Sequence, residues 1–177
     1  MLLVIATVGT IGSAVYSLAL YTSTAAVDAN TFTSGTIILG TNPATALLTA
    51  GALMPGDTVN GTLVVSNSGT GQLRYAMTSL STNTDSKGLM NQMSLAVKTL
   101  GTSCAAFDGT SLYAGTLASA AFGSTTQGAQ AGDRTLNAAS SETLCFQASL
   151  PQNTGNAYQG ATTTTTFTFS AEQTANN

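Results

Sequence analysis

The 177-residue chain contains no histidine and no tryptophan, and it has four Lys and Arg against seven Asp and Glu. Without imidazole, neither a His-Glu-x-x-His zinc site nor a Ser-His-Asp triad can form, which excludes the commonest hydrolases. Four scattered basic residues cannot neutralise a row of phosphates, so a nucleic-acid partner is excluded as well. Only 6% of the residues are charged, against about 25% in typical soluble domains. Ser, Thr, Asn, Gln and Gly must therefore cover the surface, as is typical of extracellular proteins.

Carboxylates are the remaining candidates for acid–base chemistry: Asp28, Asp57, Asp85, Asp108, Asp133 and Glu142. Their neighbours are mostly Gly, Ser, Thr and Asn, a composition typical of turns, so we expect solvated loop carboxylates and no catalytic pair. Asp57 and Asp108 with Gly109 are the candidates for calcium, but the chain lacks a twelve-residue pattern of oxygen ligands. We therefore predict that the protein is not an enzyme and has no catalytic residue, metal or cofactor.

Two short motifs have ordinary structural interpretations. Gly69, Gly71 and Gly101 do not lie between a strand and a helix, so they predict hairpin turns and not a phosphate-binding loop. Asn60-Gly61-Thr62 is a sequon, which makes Asn60 a candidate for N-glycosylation in a host that has the machinery. The alternative is an ordinary strand asparagine.

The chain has two cysteines, Cys104 and Cys145. In an exported protein an even pair is more often bridged than free, so we predict a disulfide, with two buried thiols as the alternative. The bridge would close a loop of about 40 residues, for which the chain-entropy model gives about 4 kcal/mol at most.

The segment from Met1 to Ala19 carries no charge and is mostly apolar. Small residues at Ser17 and Ala19 fit the positions that a signal peptidase reads, which predicts cleavage between Ala19 and Leu20. A permanent transmembrane anchor is the alternative, since about 20 apolar residues can span a bilayer. We expect residues 1–19 to be a cleaved signal peptide. The protein would then be secreted to the extracellular space or cell surface, with no membrane contact after processing.

After residue 30 the apolar residues alternate with period 2, and no stretch keeps a helical period for three turns. The first predicted strand is Thr31–Leu39, and the second is Val59–Ser66, which follows the Pro55-Gly56-Asp57 turn. Four further strands are predicted around Leu73, Tyr75 and Met77, around Met93, Leu95 and Val97, at Leu144–Leu150, and around Phe167, Phe169 and Ala171. Leu89–Gln92 is a candidate for one helical turn.

Two polar stretches, Ser79–Lys87 and Ala118–Asn137, are rich in Ser, Thr, Gly, Gln and Asn and predict surface loops. The pattern indicates no second core, so residues 31–177 are expected to form one domain. Strands at this spacing predict an all-β sandwich of two antiparallel sheets with an N-terminal extension, of immunoglobulin or jelly-roll connectivity.

Three separated blocks of the chain carry recognisable patterns. The first is Asn30-Thr31-Phe32-Thr33-Ser34-Gly35-Thr36, and the second combines Leu53-Met54-Pro55-Gly56-Asp57 with Asn67-Ser68-Gly69-Thr70 and Leu73-Arg74-Tyr75. The third includes Leu150-Pro151, Asn156, Gln159-Gly160 and the strand Phe167–Gln173. Together these blocks resemble the TasA and camelysin-type family, whereas the central stretch 101–139 matches none of its patterns.

The resemblance implies a jelly-roll domain, export through a dedicated signal peptidase, and polymerisation into biofilm-matrix fibres by donor-strand complementation. Archaeal bundling pilins are similar in the same sense. The partners implied are copies of the same chain in a head-to-tail homopolymer, together with an accessory anchor or nucleator protein. Camelysins have been described as metalloproteases, but the absence of histidine argues against that activity here.

The residues themselves also favour polymerisation. The last strand, Thr162–Ser170, is uncharged and high in β-propensity, so its edge is the predicted acceptor, with Thr164, Thr166, Phe167 and Phe169 as its candidate residues. The predicted donor is the segment Leu20–Asn30, in which Leu20, Tyr21 or Val27 would fill pockets along the groove. Head-to-tail addition does not close into a ring and gives a filament. The alternative is a monomeric cell-surface or coat module with an adhesive or ligand-binding role.

Overall fold

The computed structural model describes residues 29–176. Contacts divide the chain after Thr33, and every strand and helix of the described part lies in the second unit, Ser34–Asn177. The predicted signal peptide and residues 20–28 of the predicted donor segment lie outside the described residues. Within residues 29–176, no helix is long and apolar enough to cross a bilayer.

Nine strands make up most of the regular structure of residues 29–176. Their bounds are β1 (Leu39–Asn42), β2 (Thr58–Asn67), β3 (Leu73–Ser81), β4 (Ser94–Thr99), β5 (Ser111–Thr116), β6 (Ala121–Phe122), β7 (Arg134–Leu136), β8 (Ser140–Ser149) and β9 (Thr165–Gln173). The helical elements are α1 (Leu89–Gln92) and the 3-10 helices Leu117–Ser119 and Asn156–Tyr158. The helical turn predicted at Leu89–Gln92 is confirmed.

The strands form two antiparallel sheets. In the first sheet the order is β1-β2-β8-β4-β5. In the second sheet β3 is central and pairs with β9 along its whole length. The short strands β6 and β7 therefore share the other side of β3, where they pair with different parts of it. The predicted all-β sandwich of two antiparallel sheets is confirmed.

Alternating apolar residues explain the pairing at the centre of the first sheet. β2 and β8 pair over ten residues, from Thr58 opposite Ser149 to Asn67 opposite Ser140. A shift of the register by one residue would turn the apolar side chains of one strand towards solvent. The buried core contains Leu63, Val65, Leu73, Tyr75, Met77, Met93, Leu95, Val97, Leu117, Ala120, Phe122, Leu136, Leu144, Phe146, Ala148 and Leu150.

The prediction of a first strand at Thr31–Leu39 is wrong, because β1 begins only at Leu39. Its partner β2 ends at Asn67, directly opposite Leu39. Before this pair the chain follows the turn after β2 instead of a strand. The carbonyl oxygen of Thr36 accepts two N–H groups of that turn, at positions 70 and 71, both at 2.8 Å.

The turn between β2 and β3 carries the chain from the first sheet to the second, so the prediction of a hairpin at Gly69 and Gly71 is wrong. Asn67, which is 1% exposed, holds this corner. Its Oδ1 accepts the N–H of Gly69 at 3.0 Å, and its Nδ2 donates to the carbonyl oxygens of Gly71 at 2.8 Å and Asn137 at 3.1 Å. The conformation of the turn is thus fixed by a buried amide.

The prediction that Ser79–Lys87 and Ala118–Asn137 are surface loops is wrong in part. β3 extends to Ser81, and β6 and β7 lie within the second stretch. These strands have two and three residues, too few for an alternating pattern to be recognised. Phe122 of β6 and Leu136 of β7 nevertheless belong to the core.

Candidate functional site

β9 is an edge strand in the described part of the chain. It pairs with β3 over all nine of its residues, and no other described strand pairs with it. Phe167 and Phe169 pack against the core but are only half-buried. Thr166 and Thr168, on the opposite face, are exposed. Three predicted acceptor residues, Thr166, Phe167 and Phe169, thus lie on one free edge, and Thr164 lies just before it.

An open groove separates the edge of β9 from the edge of β1 and has a volume of about 300 Å³. β1 belongs to the first sheet and β9 to the second, so the groove runs along one side of the sandwich. The residues that line it are Leu39, Gly40, Thr41, Phe167, Thr168 and Phe169. We call these six residues the open groove.

The groove is open because β1 is short. β1 has four residues, against ten in β2 and nine in β9. Pro43 follows β1 and, without an N–H, cannot extend its ladder. The chain then turns so that Leu47, Leu48 and Leu53 pack on the core. Leu47 and Leu48 cover Gly61 of β2, and no described strand pairs with the second edge of β1.

Both ends of β9 are held. At its C-terminal end, Nη1 of Arg74 lies 3.4 Å from Oε1 of Glu172, and Nη2 of Arg74 donates to the carbonyl oxygen of Thr174 at 3.3 Å. The Arg74 side chain is only 9% exposed. At the other end, the N–H of Thr164 donates to Oγ1 of Thr82, and the N–H of Thr82 donates to the carbonyl oxygen of Thr164, both at 2.9 Å. The free edge of β9 is therefore a strand held at both ends.

A polar network joins the two sheets. Glu142 of β8 accepts a hydrogen bond from the hydroxyl of Tyr75 at 2.6 Å and from Nη2 of Arg134 at 2.5 Å. Tyr75 and Arg134 belong to the second sheet and Glu142 to the first. Burial, and then the hydrogen bond to the Glu142 carboxylate, raises the pKa of Tyr75. The prediction of a solvated loop carboxylate is thus wrong for Glu142.

The opposite side of the sandwich is closed by the chain itself, in residues 117–122, which we call the closed side. The chain passes there from β5 of the first sheet to β6 of the second. The N–H of Leu117 donates to the carbonyl oxygen of Met93 at 2.9 Å, and its carbonyl oxygen accepts a hydrogen bond from Oγ of Ser79 at 3.3 Å. Leu117 and Phe122 are each 5% exposed.

Cys104 and Cys145 are joined by a disulfide. Cys145 is buried on β8, and Cys104 lies in the loop between β4 and β5. In the same loop the carbonyl oxygen of Phe107 accepts a hydrogen bond from Nζ of Lys98 at 2.8 Å. Because β1 and β5 are at opposite ends of the first sheet, the bridge supports the fold and does not line the open groove.

The aspartates that the structure describes lie in loops, as predicted, and they accept hydrogen bonds from backbone N–H groups. Oδ2 of Asp57 accepts the N–H of Met54 at 2.8 Å, and Oδ1 of Asp108 accepts the N–H of Thr102 at 2.9 Å. These two calcium candidates are therefore engaged by their own loops. Asp85 and Asp133 accept N–H groups in the same way. Asp28 lies outside the described residues.

Hydrogen bonds to the ionised form lower the pKa of two of these carboxyls. For Asp85 the main cause is the N–H of Lys87, followed by the N–H of Thr162. For Asp108 it is the hydrogen bonding of Thr102. Asp85 thereby connects the loop after β3 to the segment that leads into β9.

Asn60 is exposed on β2, and its Oδ1 accepts a hydrogen bond from Nε2 of Gln147 on β8 at 3.0 Å. The exposure of Asn60 is compatible with glycosylation. Its hydrogen bond to Gln147 is equally compatible with an ordinary strand asparagine. Glycosylation at this position stays a prediction.

The residues predicted for cleavage and donation, Ala19, Leu20, Tyr21 and Val27, lie outside the described residues. Sequence reasoning found the β9 wall of the groove and missed the β1 wall. The signal that could have found it is Pro43, which ends the strand early and leaves its edge short.

Comparison with known proteins gives one family match, and no curated protein matches the chain. A family model described as camelysin metallo-endopeptidase matches residues 3–98. The metal that this description implies does not fit the residues present. The chain has no histidine, both cysteines are in the disulfide, and residues 29–176 contain no group of three His, Cys, Asp or Glu side chains that could hold a metal ion.

The matched region covers more than half of the 177 residues. It includes the first two of the three sequence blocks, those at 30–36 and 53–75, and it ends before the central stretch 101–139. The third block lies beyond it. The predicted family is confirmed by this match: the chain belongs to the camelysin family.

Proposed function

We propose that the protein is a structural subunit that polymerises into extracellular fibres of a biofilm matrix, in which the N-terminal segment of each subunit completes the sandwich of the next. The single observation that carries this proposal is the open groove. A strand added there would pair with the free edge of β9 and cover the half-buried rings of Phe167 and Phe169.

The two walls of the groove carry none of the usual guards. Monomeric β proteins block an exposed edge with lysine, with proline inside the strand or with a bulge. β1 contains no charged residue, and the one charge on β9, Glu172, is paired with Arg74. Lys87 and Lys98 lie on other elements. Nothing on these edges opposes pairing with another chain.

Two features explain why addition would continue without limit. The donor is the tail at 20–30 and the acceptor is the open groove, so the two surfaces in each contact differ. A contact between different surfaces is heterologous and extends into a filament unless a rotation closes it. The Arg74–Glu172 pair and the Thr82–Thr164 hydrogen bonds hold β9 in place before the donor arrives, which lowers the ordering cost of association.

Family membership supports a biofilm-related structural protein at the cell surface in general terms. We propose further that the chain is not a peptidase despite the family's description, since it offers no imidazole to bind a catalytic metal.

The test compares a chain that begins at Leu20 with a variant that begins at Thr31. The variant keeps every described strand and core residue, so it should fold. We expect the longer chain to form fibres in electron micrographs and the variant to remain monomeric in analytical ultracentrifugation. A chain in which residues 20–30 are scrambled is the matched control and should also remain monomeric.

Fibres of normal length from the variant that begins at Thr31 would contradict the proposal. A longer chain that stays monomeric at high concentration across a range of pH would contradict it too, and would support the monomeric surface module instead.

A further inference from the structure

We propose that the peptide bond between Phe32 and Thr33 is a processing site, at which an endopeptidase with an apolar specificity pocket releases the domain from the segment before it. Such enzymes bind a large apolar side chain on the amino side of the bond that they cut. Water would add across the bond, leaving a carboxylate on Phe32 and a new amino group on Thr33. Residues 29–36 around the bond all lie in the described part of the chain.

Phe32 is 93% exposed. Among the described elements it belongs to no strand and no helix, and each of the residues 29–36 is exposed. Exposed segments outside regular structure are the preferred sites of proteolytic cleavage. An endopeptidase can therefore reach both the ring of Phe32 and the peptide bond that follows it.

Four other large apolar residues of the described chain are exposed: Ile38, Met54, Leu80 and Leu100. The carbonyl oxygen of Ile38 accepts the N–H of Ser68 at 2.9 Å, and the N–H of Leu100 donates to the carbonyl oxygen of Thr143 at 3.1 Å. Leu80 lies within β3, which is paired with β9 along its whole length. Cleavage beside any of these three residues requires the backbone to leave its hydrogen bonds first.

Met54 is protected by the turn that follows it. Its carbonyl oxygen accepts the N–H of Asp57 at 2.9 Å, and its own N–H donates to Oδ2 of Asp57 at 2.8 Å. The next residue is Pro55, which has no N–H and restricts the backbone of the residue before it. Phe32 is followed by Thr33 and lies in no such turn. Among the exposed large apolar residues of the described chain, Phe32 is therefore the one whose backbone is accessible for cleavage.

The bond also lies at the boundary of the folded unit. Contacts divide the chain after Thr33, and Thr36 is tied to the turn after β2, since its N–H donates to Oγ1 of Thr70 at 2.9 Å. A cut before Thr33 leaves every described strand and every core residue in one piece. The released domain should therefore keep its fold.

Cleavage would separate residues 20–30 from the domain. Those residues are the donor under the proposed function, so a subunit that has been cut could no longer attach itself to the next. This consequence for fibres rests on the proposed function, whereas the processing site itself does not.

Limited digestion with chymotrypsin, applied to the chain that begins at Leu20, tests the site. We expect a product that begins at Thr33 to accumulate before any cut occurs within residues 34–177, as measured by mass spectrometry of the intact products. Phe32→Ser should slow the formation of this product at least about tenfold. Leu80→Ser is the matched control, because it removes a side chain that is 77% exposed but lies within β3. It should change the rate less than about twofold.

A second variant leaves the ring in place. Thr33→Pro removes the N–H of the bond to be cut and should slow the cut at least about tenfold as well. Earlier cleavage within residues 34–177, or equal rates for Phe32→Ser and the unsubstituted chain, would overturn the proposal. If the product that begins at Thr33 forms but still polymerises, the donor-strand function is wrong and the processing site stands. If the bond resists digestion while the variant that begins at Thr31 stays monomeric, only the processing site is wrong.

Discussion

The two sides of the sandwich differ in whether the chain crosses between the two sheets and in how far it buries the aromatic residues there. On the closed side the chain crosses between the sheets and buries Leu117 and Phe122. At the open groove no described strand crosses, and Phe167 and Phe169 remain half-buried between two free edges. Tyr75 stands between the two, with its ring centroid 6.0 Å from that of Phe122 and 6.1 Å from that of Phe169.

Within residues 29–176, therefore, the aromatic residues of the core are fully covered on one side only. A domain that functions as a monomer would be more stable if its aromatic residues were covered on both sides. Under the proposed function, a strand added beside β9 would cover these rings. The buried residues of the closed side stabilise the fold, and we propose that the open groove is the site of association.

The largest expected effect comes from a matched pair of Phe→Ala substitutions. In the monomer that begins at Thr31, Phe122→Ala should lower the free energy of unfolding by about 3–5 kcal/mol, because the ring is fully buried. Phe167→Ala should cost about half as much, since its ring is half-buried. Denaturant titration measures both values. Equal losses would show that the two sides are packed alike and would break the comparison.

The network between the sheets gives the next effect. Tyr75→Phe removes a hydrogen bond to the Glu142 carboxylate, which should cost about 1.5–3 kcal/mol of unfolding free energy. The fold raises the pKa of Tyr75 above its usual 10.0. The phenol's contribution is therefore complete below pH 10.0 and is lost as the pH rises above it.

Thermal unfolding between pH 7 and 11 tests this dependence. The unsubstituted chain should lose stability at the alkaline end, and Tyr75→Phe should lose less of it. Tyr113→Phe, which changes a hydroxyl bonded to the Thr116 carbonyl oxygen, is the control. Identical alkaline slopes in the Tyr75 variant and the unsubstituted chain would contradict the assigned cause.

A smaller effect is expected where the β1 wall meets the turn after β2. A Cβ at Gly69 would lie 2.4 Å from the Thr36 carbonyl oxygen, whereas at Gly71 the nearest atom would be 3.5 Å away. Gly69→Ala should therefore cost about 1–3 kcal/mol and displace the chain that leads into β1. Gly71→Ala is the matched control and should be nearly neutral in denaturant titration. Equal costs at both positions would argue against this close approach.

The sequence predicted those parts of the fold in which a long strand alternates. β2, β3, β8 and β9 have nine or ten residues each, and their apolar periods located them. β6 and β7 were not predicted, because a strand of two or three residues is too short to show an alternating apolar pattern. Residues 31–38 were predicted as a strand because composition alone does not reveal that β2, the strand that pairs with β1, ends at Asn67.

For a related reason, only one of the two walls of the open groove could be predicted from the sequence. The β9 wall follows from its own uncharged, alternating sequence, whereas the β1 wall depends on which strand lies beside it in space. The hydrogen bond between Tyr75 and Glu142 was not predicted for the same reason, since the two residues are 67 positions apart in the chain. Contacts between distant segments are set by the packing of the two sheets, which local composition does not encode.

The most direct measurement of the central claim is amide hydrogen exchange on fibres and on the monomer that begins at Thr31. Among the described strands, β9 and β5 are both edge strands, and of these two only β9 borders the open groove. We predict that the β9 amides not bonded to β3 become at least tenfold more protected in fibres, while the edge amides of β5 change little. Unchanged β9 amides in fibres, or greater protection of β5 than of β9, would contradict the account.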